Sequence, residues 1–224
     1  IKTLLSFSLV SHFLKNFENS FKAVEKVLKI DPKNTDAMLQ MSLNFMDTGL
    51  FVEALNLLFQ INEINGSKPE INADISMCYF YLGEIEKAKK FNSLAGGSLN
   101  ALYNNSLINL KLGNLKKGWQ LYEAGLNKKR KLNIGQDLFS HLPYWTPSKK
   151  YNSVLVIGEQ GIGDEIMFSS LIIDLKKYVD NIFLLCDERL KFLFIKKYKF
   201  IKFIDDIETE ELKRIESKIA IGSL

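Results

Sequence analysis

The fold is decided by residues 154–168, which read V-L-V-I-G-E-Q-G-I-G-D-E-I-M-F. The first four residues are apolar and mostly β-branched, which is typical of a short buried strand. Three glycines follow, and then apolar residues recur at the spacing of a helix that opens with Asp164 and Glu165. A buried strand, a glycine turn and an acid-led helix predict the first half of a βαβ unit.

The residues after this stretch predict further pieces of the same sheet. Apolar runs predict strands over 181–187, 200–204 and 218–221, separated by helices over 189–198 and 208–216. Strands that alternate with helices form a parallel sheet with right-handed crossovers. In such a sheet the ligand site lies at the carboxyl ends of the strands. The sequence stops as the fourth strand ends, so we expect an incomplete sheet.

The residues before this stretch repeat with a period of 34. Gly49 and Gly83 are one period apart, Ala54 and Ala88 are one period apart, and Ser20 lies one period before Ala54. A 34-residue period made of two helices is the tetratricopeptide repeat (TPR) signature. We therefore predict about four helix pairs over residues 1–126. The breaks within pairs are predicted near Gly49, Gly83 and Gly113, and the second helix of the third repeat is predicted to be short.

Repeats of this type suggest a concave groove that holds a protein or peptide partner. The residues expected to line it come from the first helix of each pair, and they are Leu39, Leu43, Met77, Tyr81, Tyr103 and Leu107. Nothing in the sequence identifies the partner.

A linker is predicted over residues 127–150, which carry six basic residues and one acidic residue. Its run Lys128–Lys131 is interpreted as a solvated segment, with an anionic partner as the alternative. No aromatic residues interleave with the run, so we expect no nucleic-acid partner. Tyr144 and Trp145 are expected to pack the linker onto the following domain, and stacking on a sugar ring is the alternative.

Composition narrows the remaining function classes. Cys78 and Cys186 lie far apart, which favours a reducing compartment and a cytoplasmic location. The chain has only two histidines, His12 and His141, so catalysis by histidine and a metal site made of histidines are both disfavoured, and we expect no metal. No apolar run approaches the roughly 20 residues that span a bilayer, so no transmembrane segment is predicted.

Four short motifs carry a resemblance to a known family. They are K-G-W-Q-L-Y-E at 117–123, P-Y-W at 143–145, G-E-Q-G-I-G-D-E-I-M-F at 158–168 and C-D-E-R-L at 186–190. Together they resemble bacterial TPR proteins that carry a glycosyltransferase domain similar to the heptosyltransferases of lipopolysaccharide synthesis. The resemblance implies a GT-B fold, with two Rossmann-like halves around a cleft. We thus predict an α-solenoid followed by a partial Rossmann-like parallel sheet, over 151–224, which is the acceptor-binding half.

The resemblance also implies a chemistry. It implies inverting, metal-independent transfer of a sugar from a nucleotide sugar to an acceptor, with no cofactor held by the residues present here. Asp164 is the implied general base, which deprotonates the acceptor hydroxyl. Second-rank candidates for acceptor binding or capping are Glu159, Gln160, Gly161, Gly163 and Glu165. The glycines at 158, 161 and 163 are expected to allow positive φ and close backbone approach.

Three alternatives stay open on the residues alone. Asp164 is a candidate helix N-cap with no catalytic role. A dinucleotide site with Asp187 on a ribose is disfavoured, since the spacing is G-x-x-G-x-G rather than G-x-G-x-x-G. The third alternative is that the chain is a TPR interaction module whose sheet is a non-catalytic remnant. A P-loop is excluded because no Gly-Lys-Ser/Thr is present.

Overall fold

The computed structural model describes residues 1–122, 139–158, 161–206 and 209–224. It contains two compact units, Ile1–Gly125 and Leu126–Leu224. The first is an array of helix pairs and the second contains a parallel sheet with helices. The predicted fold class, an α-solenoid followed by a partial α/β sheet, is confirmed.

The first unit is built from consecutive helices, and residues 1–122 contain no strand. The helices are α1 Lys2–Phe13, α2 Phe17–Ile30, α3 Thr35–Asp47, α4 Phe51–Asn65, α5 Pro69–Tyr81, α6 Ile85–Leu94, α7 Leu99–Lys111 and α8 Leu115–Tyr122. Local signals set several of their starts. Asn34 caps α3 through a hydrogen bond from the Ala37 amide at 3.0 Å, and Pro69 opens α5.

The turn inside each pair uses a left-handed residue, and three of these turns lie at the breaks predicted from the glycine period. The φ angles are +82° at Gly49, +80° at Gly83 and +79° at Gly113. In the first pair the same turn position is Lys15, at φ +57°. A side chain in this region is strained, because the Cβ approaches the neighbouring carbonyl oxygen.

Small residues bring the two helices of a pair together. Ser8 Oγ lies 2.8 Å from Ser20 Oγ, and both residues are fully buried. In the third pair Ser76 Oγ donates to the Ala88 carbonyl at 2.8 Å. In the fourth pair the matching residue is Gly118, where a Cβ would lie 2.6 Å from Leu110 Cδ2. Close helix packing therefore restricts these positions to small side chains.

A buried polar cluster ties the first pair to the second. His12 Nδ1 lies 2.8 Å from Asn44 Oδ1, and Asn44 Nδ2 donates to Ser20 Oγ at 2.8 Å. His12 Nε2 also lies 3.3 Å from Asp47 Oδ2. Since buried polar groups need partners, this cluster fixes the register of neighbouring pairs. The sixth helix has 10 residues against 15 in α4, which confirms the predicted shortening.

The second unit alternates strands and helices. Its elements are β1 Ser153–Ile157, α9 Ile162–Phe168, α10 Ile172–Leu175, β2 Asn181–Leu185, α11 Glu188–Lys197, β3 Ile201–Phe203, α12 Thr209–Leu212 and β4 Ser217–Ala220. A 3₁₀ turn, Ser169–Leu171, joins α9 to α10. All four predicted strands are present within a few residues of their predicted bounds. The polar helix predicted over 208–216 is shorter, because only α12 forms.

The sheet has the order β3-β2-β1-β4, and every neighbouring pair is parallel. All five residues of the central strand β1 are buried, as expected when both faces are covered. Ile157 is in register with Leu185 of β2 and with Ala220 of β4. The carboxyl ends of the three strands therefore meet at one edge, which we call the carboxyl edge.

Part of the segment predicted as a linker lies on the outer edge of β4. The Lys218 amide donates to the Pro143 carbonyl at 2.9 Å, and the Trp145 amide donates to the Lys218 carbonyl at 2.8 Å. The Lys218 ammonium also donates to the Phe139 carbonyl at 2.9 Å, and burial lowers its pKa. Trp145 contacts Tyr178 edge-on, with ring centroids 6.0 Å apart. The predicted packing of Trp145 onto this unit is confirmed, whereas the basic run Lys128–Lys131 lies outside the described residues.

Candidate functional site

The candidate site is the carboxyl edge, where the residues after β1 meet those after β2. The Gly158 amide donates to the Leu185 carbonyl at 2.6 Å, which continues the β1–β2 ladder by one residue. The chain then enters α9, while the chain after Leu185 passes through Cys186 and Asp187 into α11. Two helix starts therefore lie side by side at this edge.

Glu165 lies inside the fold, although its side chain is ionisable. It is 1% exposed and is among the largest fully buried side chains. Its Oε2 accepts a hydrogen bond from the Asp187 amide at 3.0 Å. A buried carboxylate is stable only when it is hydrogen-bonded. Glu165 therefore joins the start of α9 to the end of β2. A side chain buried in this way is not exposed to an acceptor, so the burial does not support its predicted role in acceptor binding.

Gly158 has a steric reason to be glycine. A Cβ at this position would lie 2.6 Å from both Cδ and Oε1 of Glu165. Real Cβ atoms do not approach this closely, so the glycine makes room for the buried carboxylate. Gly161 and Gly163 differ, since a Cβ at Gly161 would meet only Asp164 Oδ2, at 3.8 Å, and one at Gly163 would meet nothing within 4 Å.

Asp164 is the half-buried neighbour of Glu165, and its surroundings are different. It lies in the first turn of α9, next to the end of β1, as predicted. Its carboxylate makes no hydrogen bond or ion pair within the described part of the chain. Two adjacent carboxylates thus have distinct environments. The carboxylate of Glu165 is buried and bonded, whereas that of Asp164 has no partner among the described residues.

Two expectations about this stretch are wrong. The N-cap of α9 is Gly161 and no side chain caps the helix, so Asp164 is not the N-cap. Gly158, Gly161 and Gly163 do not have positive φ, and the left-handed glycines among the described residues belong to the first unit. The turn is extended at Gly161, a conformation that any residue adopts. Glu159 and Gln160 lie outside the described residues.

Asp187 caps α11 and pairs with Arg189. Its Oδ1 accepts from the Arg189 amide at 3.0 Å and from Nε at 2.9 Å, and its Oδ2 accepts from Nη2 at 2.7 Å. These bonds from Arg189 hold the pKa of Asp187 at about 2. The carboxylate is therefore committed to the cap, which argues further against a dinucleotide site with Asp187 on a ribose. The signal for this cap is the sequence D-E-R immediately after a strand.

The carboxyl edge is acidic. Burial, together with the charges of Glu165, Asp205 and Asp187, raises the pKa of the Cys186 thiol to about 12. Since only the thiolate is a good nucleophile, Cys186 is an inert thiol at neutral pH. Negative charge at this edge opposes a phosphate and suits a neutral ligand such as a sugar hydroxyl.

The described residues away from this edge offer cavities but no metal site. No group of three His, Cys, Asp or Glu side chains within the described ranges is arranged to hold a metal ion. A cavity of about 260 Å³ lies at the opposite, amino ends of β1 and β2, lined by Asn152, Asn181, Arg214 and Glu216 among others. Glu216 Oε2 accepts from the Asn152 amide at 2.8 Å there, so the carboxylate serves local structure.

The groove residues predicted for the first unit are not equivalent. Tyr81 is 58% exposed and stacks on Phe51 at 4.8 Å between ring centroids. Leu39, Leu43, Met77 and Leu107 are half-buried. Tyr103 is buried and packs against Tyr122, so its predicted place in the groove is wrong.

Comparison with known proteins supports the repeat and the fold. Residues 1–34 match the tetratricopeptide repeat family, which is one full period of the array. No curated protein matches the sequence. No helix in the described ranges is both long and apolar enough to cross a membrane.

Among solved structures, the chain is similar to an O-GlcNAc transferase mutant from Thermobaculum terrenum. The two share 15% identity and a TM-score of 0.55, over 96% of this chain and 44% of that protein. The chain is also similar to the MamA protein, with 22% identity and a TM-score of 0.46 over 57% of this chain and 72% of that one. At these identities the first likeness shows the fold alone, and this chain spans less than half of the transferase. The second likeness carries no argument.

Proposed function

We propose that the second unit is the acceptor-binding half of a sugar-transferring protein, and that Asp164 is its general base. One observation carries the proposal. Asp164 is a half-buried carboxylate at the carboxyl edge that neither caps α9 nor pairs with a neighbour in the described residues. Parallel α/β sheets bind ligands at this edge.

In the proposed sugar transfer, this chain carries out one proton transfer. The oxygen of an acceptor hydroxyl attacks the anomeric carbon of the donor sugar, and the bond from that carbon to the nucleotide phosphate breaks. The hydroxyl proton passes to Asp164, which holds it until the product leaves. No step requires a metal ion. The nucleotide sugar is the donor substrate, and the acidic carboxyl edge is not where its diphosphate is placed.

The buried neighbour supports this role. Glu165 fixes the first turn of α9 against the end of β2 through the Asp187 amide. A general base works only within hydrogen-bond reach of the proton it removes, so its backbone has to be held still. The bond from Asp187 to Glu165 supplies that support without occupying the Asp164 carboxylate.

The experiment is a donor screen with the full natural polypeptide that carries this sequence. The purified protein is incubated with a panel of nucleotide sugars and sugar acceptors, and free nucleotide and transferred sugar are both measured. Acceptor-dependent nucleotide release that disappears in Asp164→Asn supports the proposal. Turnover unaffected by Asp164→Asn contradicts the assignment of the base, and an inactive panel with folded protein contradicts sugar transfer.

The second candidate function is peptide binding by the first unit, in a reducing compartment such as the cytoplasm. The observation that favours it is the exposure of large apolar side chains on first helices, with Phe13 and Tyr81 both well over half exposed. Exposed aromatic residues of this kind mark interaction surfaces. A peptide-library screen tests it, with Tyr81→Ala expected to weaken capture and Leu94→Ala, on a second helix, as the matched exposed control.

A further inference from the structure

Helix α11 carries two apolar faces, and only one of them packs into the fold. Leu190, Phe194 and Tyr198 form a buried stripe at helical spacing against the second unit. Phe192, which is 70% exposed, lies opposite this stripe, and Leu193 and Ile195, which are 47% and 49% exposed, lie on its two flanks. A helix that is apolar on both sides has an outer face for which the described residues provide no cover.

Lysines lie on this outer side of α11 and just past its last residue. Residues 188–200 contain five basic residues and one acidic residue, Glu188. Lys196, Lys197 and Lys199 are exposed, and within the described ranges no carboxylate pairs with any of them. The Lys196 ammonium lies 4.1 Å from the centroid of the Phe192 ring. We call Phe192, Leu193, Ile195, Lys196, Lys197 and Lys199 the lysine-rimmed face.

The geometry points to an anionic lipid surface as the partner of the lysine-rimmed face. A helix that lies in a membrane interface buries aromatic and aliphatic side chains at the acyl boundary and directs lysines to anionic headgroups. Long lysine side chains reach the headgroup layer while their stems cover apolar surface. Exposed Phe, Leu and Ile among exposed lysines supply both parts of that arrangement.

Other partners fit the face less well. A nucleic acid is bound by cations and stacking aromatics and gives Leu193 and Ile195 no role. A second copy that pairs through the same face brings the three lysines of each copy together, and like charges at an interface oppose association. This inference does not depend on sugar transfer, because it concerns α11 and not the carboxyl edge.

The experiment measures binding of the whole 224-residue chain to lipid vesicles by co-sedimentation. One vesicle preparation mixes phosphatidylglycerol with phosphatidylcholine, and the other contains phosphatidylcholine alone. We expect binding to the first only, weakened by added salt because salt screens the lysines. In Phe192→Trp, vesicles containing phosphatidylglycerol should shift the tryptophan emission to the blue, as expected when the ring enters the bilayer.

Two patch variants and two controls locate the binding. Lys196→Gln, Lys197→Gln and Lys199→Gln together should weaken it roughly 100-fold, since each lysine near an anionic surface contributes about 1 kcal/mol. Phe192→Ser with Leu193→Ser should also weaken it at least about tenfold. The first control removes the same charge from the first unit, by Lys26→Gln, Lys29→Gln and Lys33→Gln. The second control neutralises Lys128, Lys129, Arg130 and Lys131.

The outcomes separate the possible sources of binding. Loss in both patch variants, with binding kept by both controls and unchanged circular dichroism, supports the proposal. It is overturned if the wild-type chain ignores phosphatidylglycerol, if a control variant loses binding as much as the patch variants, or if the apolar variant binds normally. Patch-dependent self-association without lipid binding, measured by light scattering, also overturns it and assigns the face to a second copy.

Discussion

The Oε2 atom of Glu165 lies 3.0 Å from the backbone nitrogen of Asp187 and accepts its hydrogen bond. The two residues follow neighbouring parallel strands, so this bond joins the first turn of α9 to the segment after β2, 22 residues away in sequence. Asp187 in turn caps α11 and pairs with Arg189. The carboxyl edge is thus held by backbone and buried contacts, and the Asp164 carboxylate remains outside them.

Gly158→Ala should destabilise the chain. The added methyl group would lie 2.6 Å from the Glu165 carboxylate, which cannot move away without losing the Asp187 amide. Overpacking of this kind costs about 1–3 kcal/mol. Thermal denaturation measures it, with Gly163→Ala as the control because nothing lies within 4 Å of a Cβ there. Equal melting temperatures for the two variants would show that the buried carboxylate does not fill the space beside Gly158.

Glu165→Ala and Asp164→Ala should differ sharply in stability. Removing Glu165 leaves the part-buried Asp187 amide without its acceptor, at a cost of about 1–3 kcal/mol. Removing Asp164 takes away only a charge in the first turn of α9, which is worth about 0.3–1 kcal/mol. Urea denaturation monitored by circular dichroism gives both free energies of unfolding. If Asp164→Ala proves the more destabilising, the assignment of the structural and free carboxylates is reversed.

Lys15→Gly should stabilise the first unit. Lys15 has φ +57° at the turn position where the later pairs have glycine. Glycine removes a left-handed strain of about 1–2 kcal/mol and gives part of it back as unfolded-state entropy, which leaves a gain of about 0.5–1 kcal/mol. The reverse exchange, Gly49→Lys, should destabilise. A melting temperature that falls in Lys15→Gly would mean that the lysine side chain contributes more than its backbone strain costs.

Acid should unfold the chain partly through Asp187. Arg189 holds the folded-state pKa of Asp187 at about 2, below the ordinary 3.8. A lowered folded pKa means that the pair contributes its full stability above about pH 3.8 and loses it as the pH falls toward about 2. Asp187→Asn keeps the cap but removes the charge, so the difference from wild type should shrink across that window. Asp180→Asn, an exposed carboxylate, is the control, and a pH-independent difference for Asp187→Asn would contradict the ion pair.

The strands and helix pairs follow from the sequence because their signals are local. Runs such as V-L-V-I mark buried parallel strands, and the 34-residue spacing of Gly49 and Gly83 marks the turns. The same spacing reaches Lys15, where the fold imposes a glycine conformation on a lysine. The repeat position determines the backbone there, and residue propensity does not.

The roles of the two acids were harder to predict. Asp164 and Glu165 are adjacent and chemically similar, so residue type alone does not separate them. The signal lies in the phase of the helix, since Glu165, Phe168, Ile172 and Leu175 form one buried stripe at spacings of three and four. The position of Tyr103 was hard to predict for a similar reason. An aromatic residue is equally compatible with a groove and with a core, and only the contact with Tyr122 shows that Tyr103 belongs to the core.

We propose that Asp164, whose carboxylate has no partner among the described residues, accepts the hydroxyl proton during sugar transfer. The most direct test of this claim is kcat and melting temperature measured together for Asp164→Asn in the full natural polypeptide, once a donor and an acceptor are known. Because Asp164 caps no helix, we expect a melting temperature close to wild type and a kcat lowered about 10²–10⁴-fold, since an amide cannot accept the proton. A kcat within a few-fold of wild type, with the protein folded, would contradict the claim and move the search for the base to Glu159.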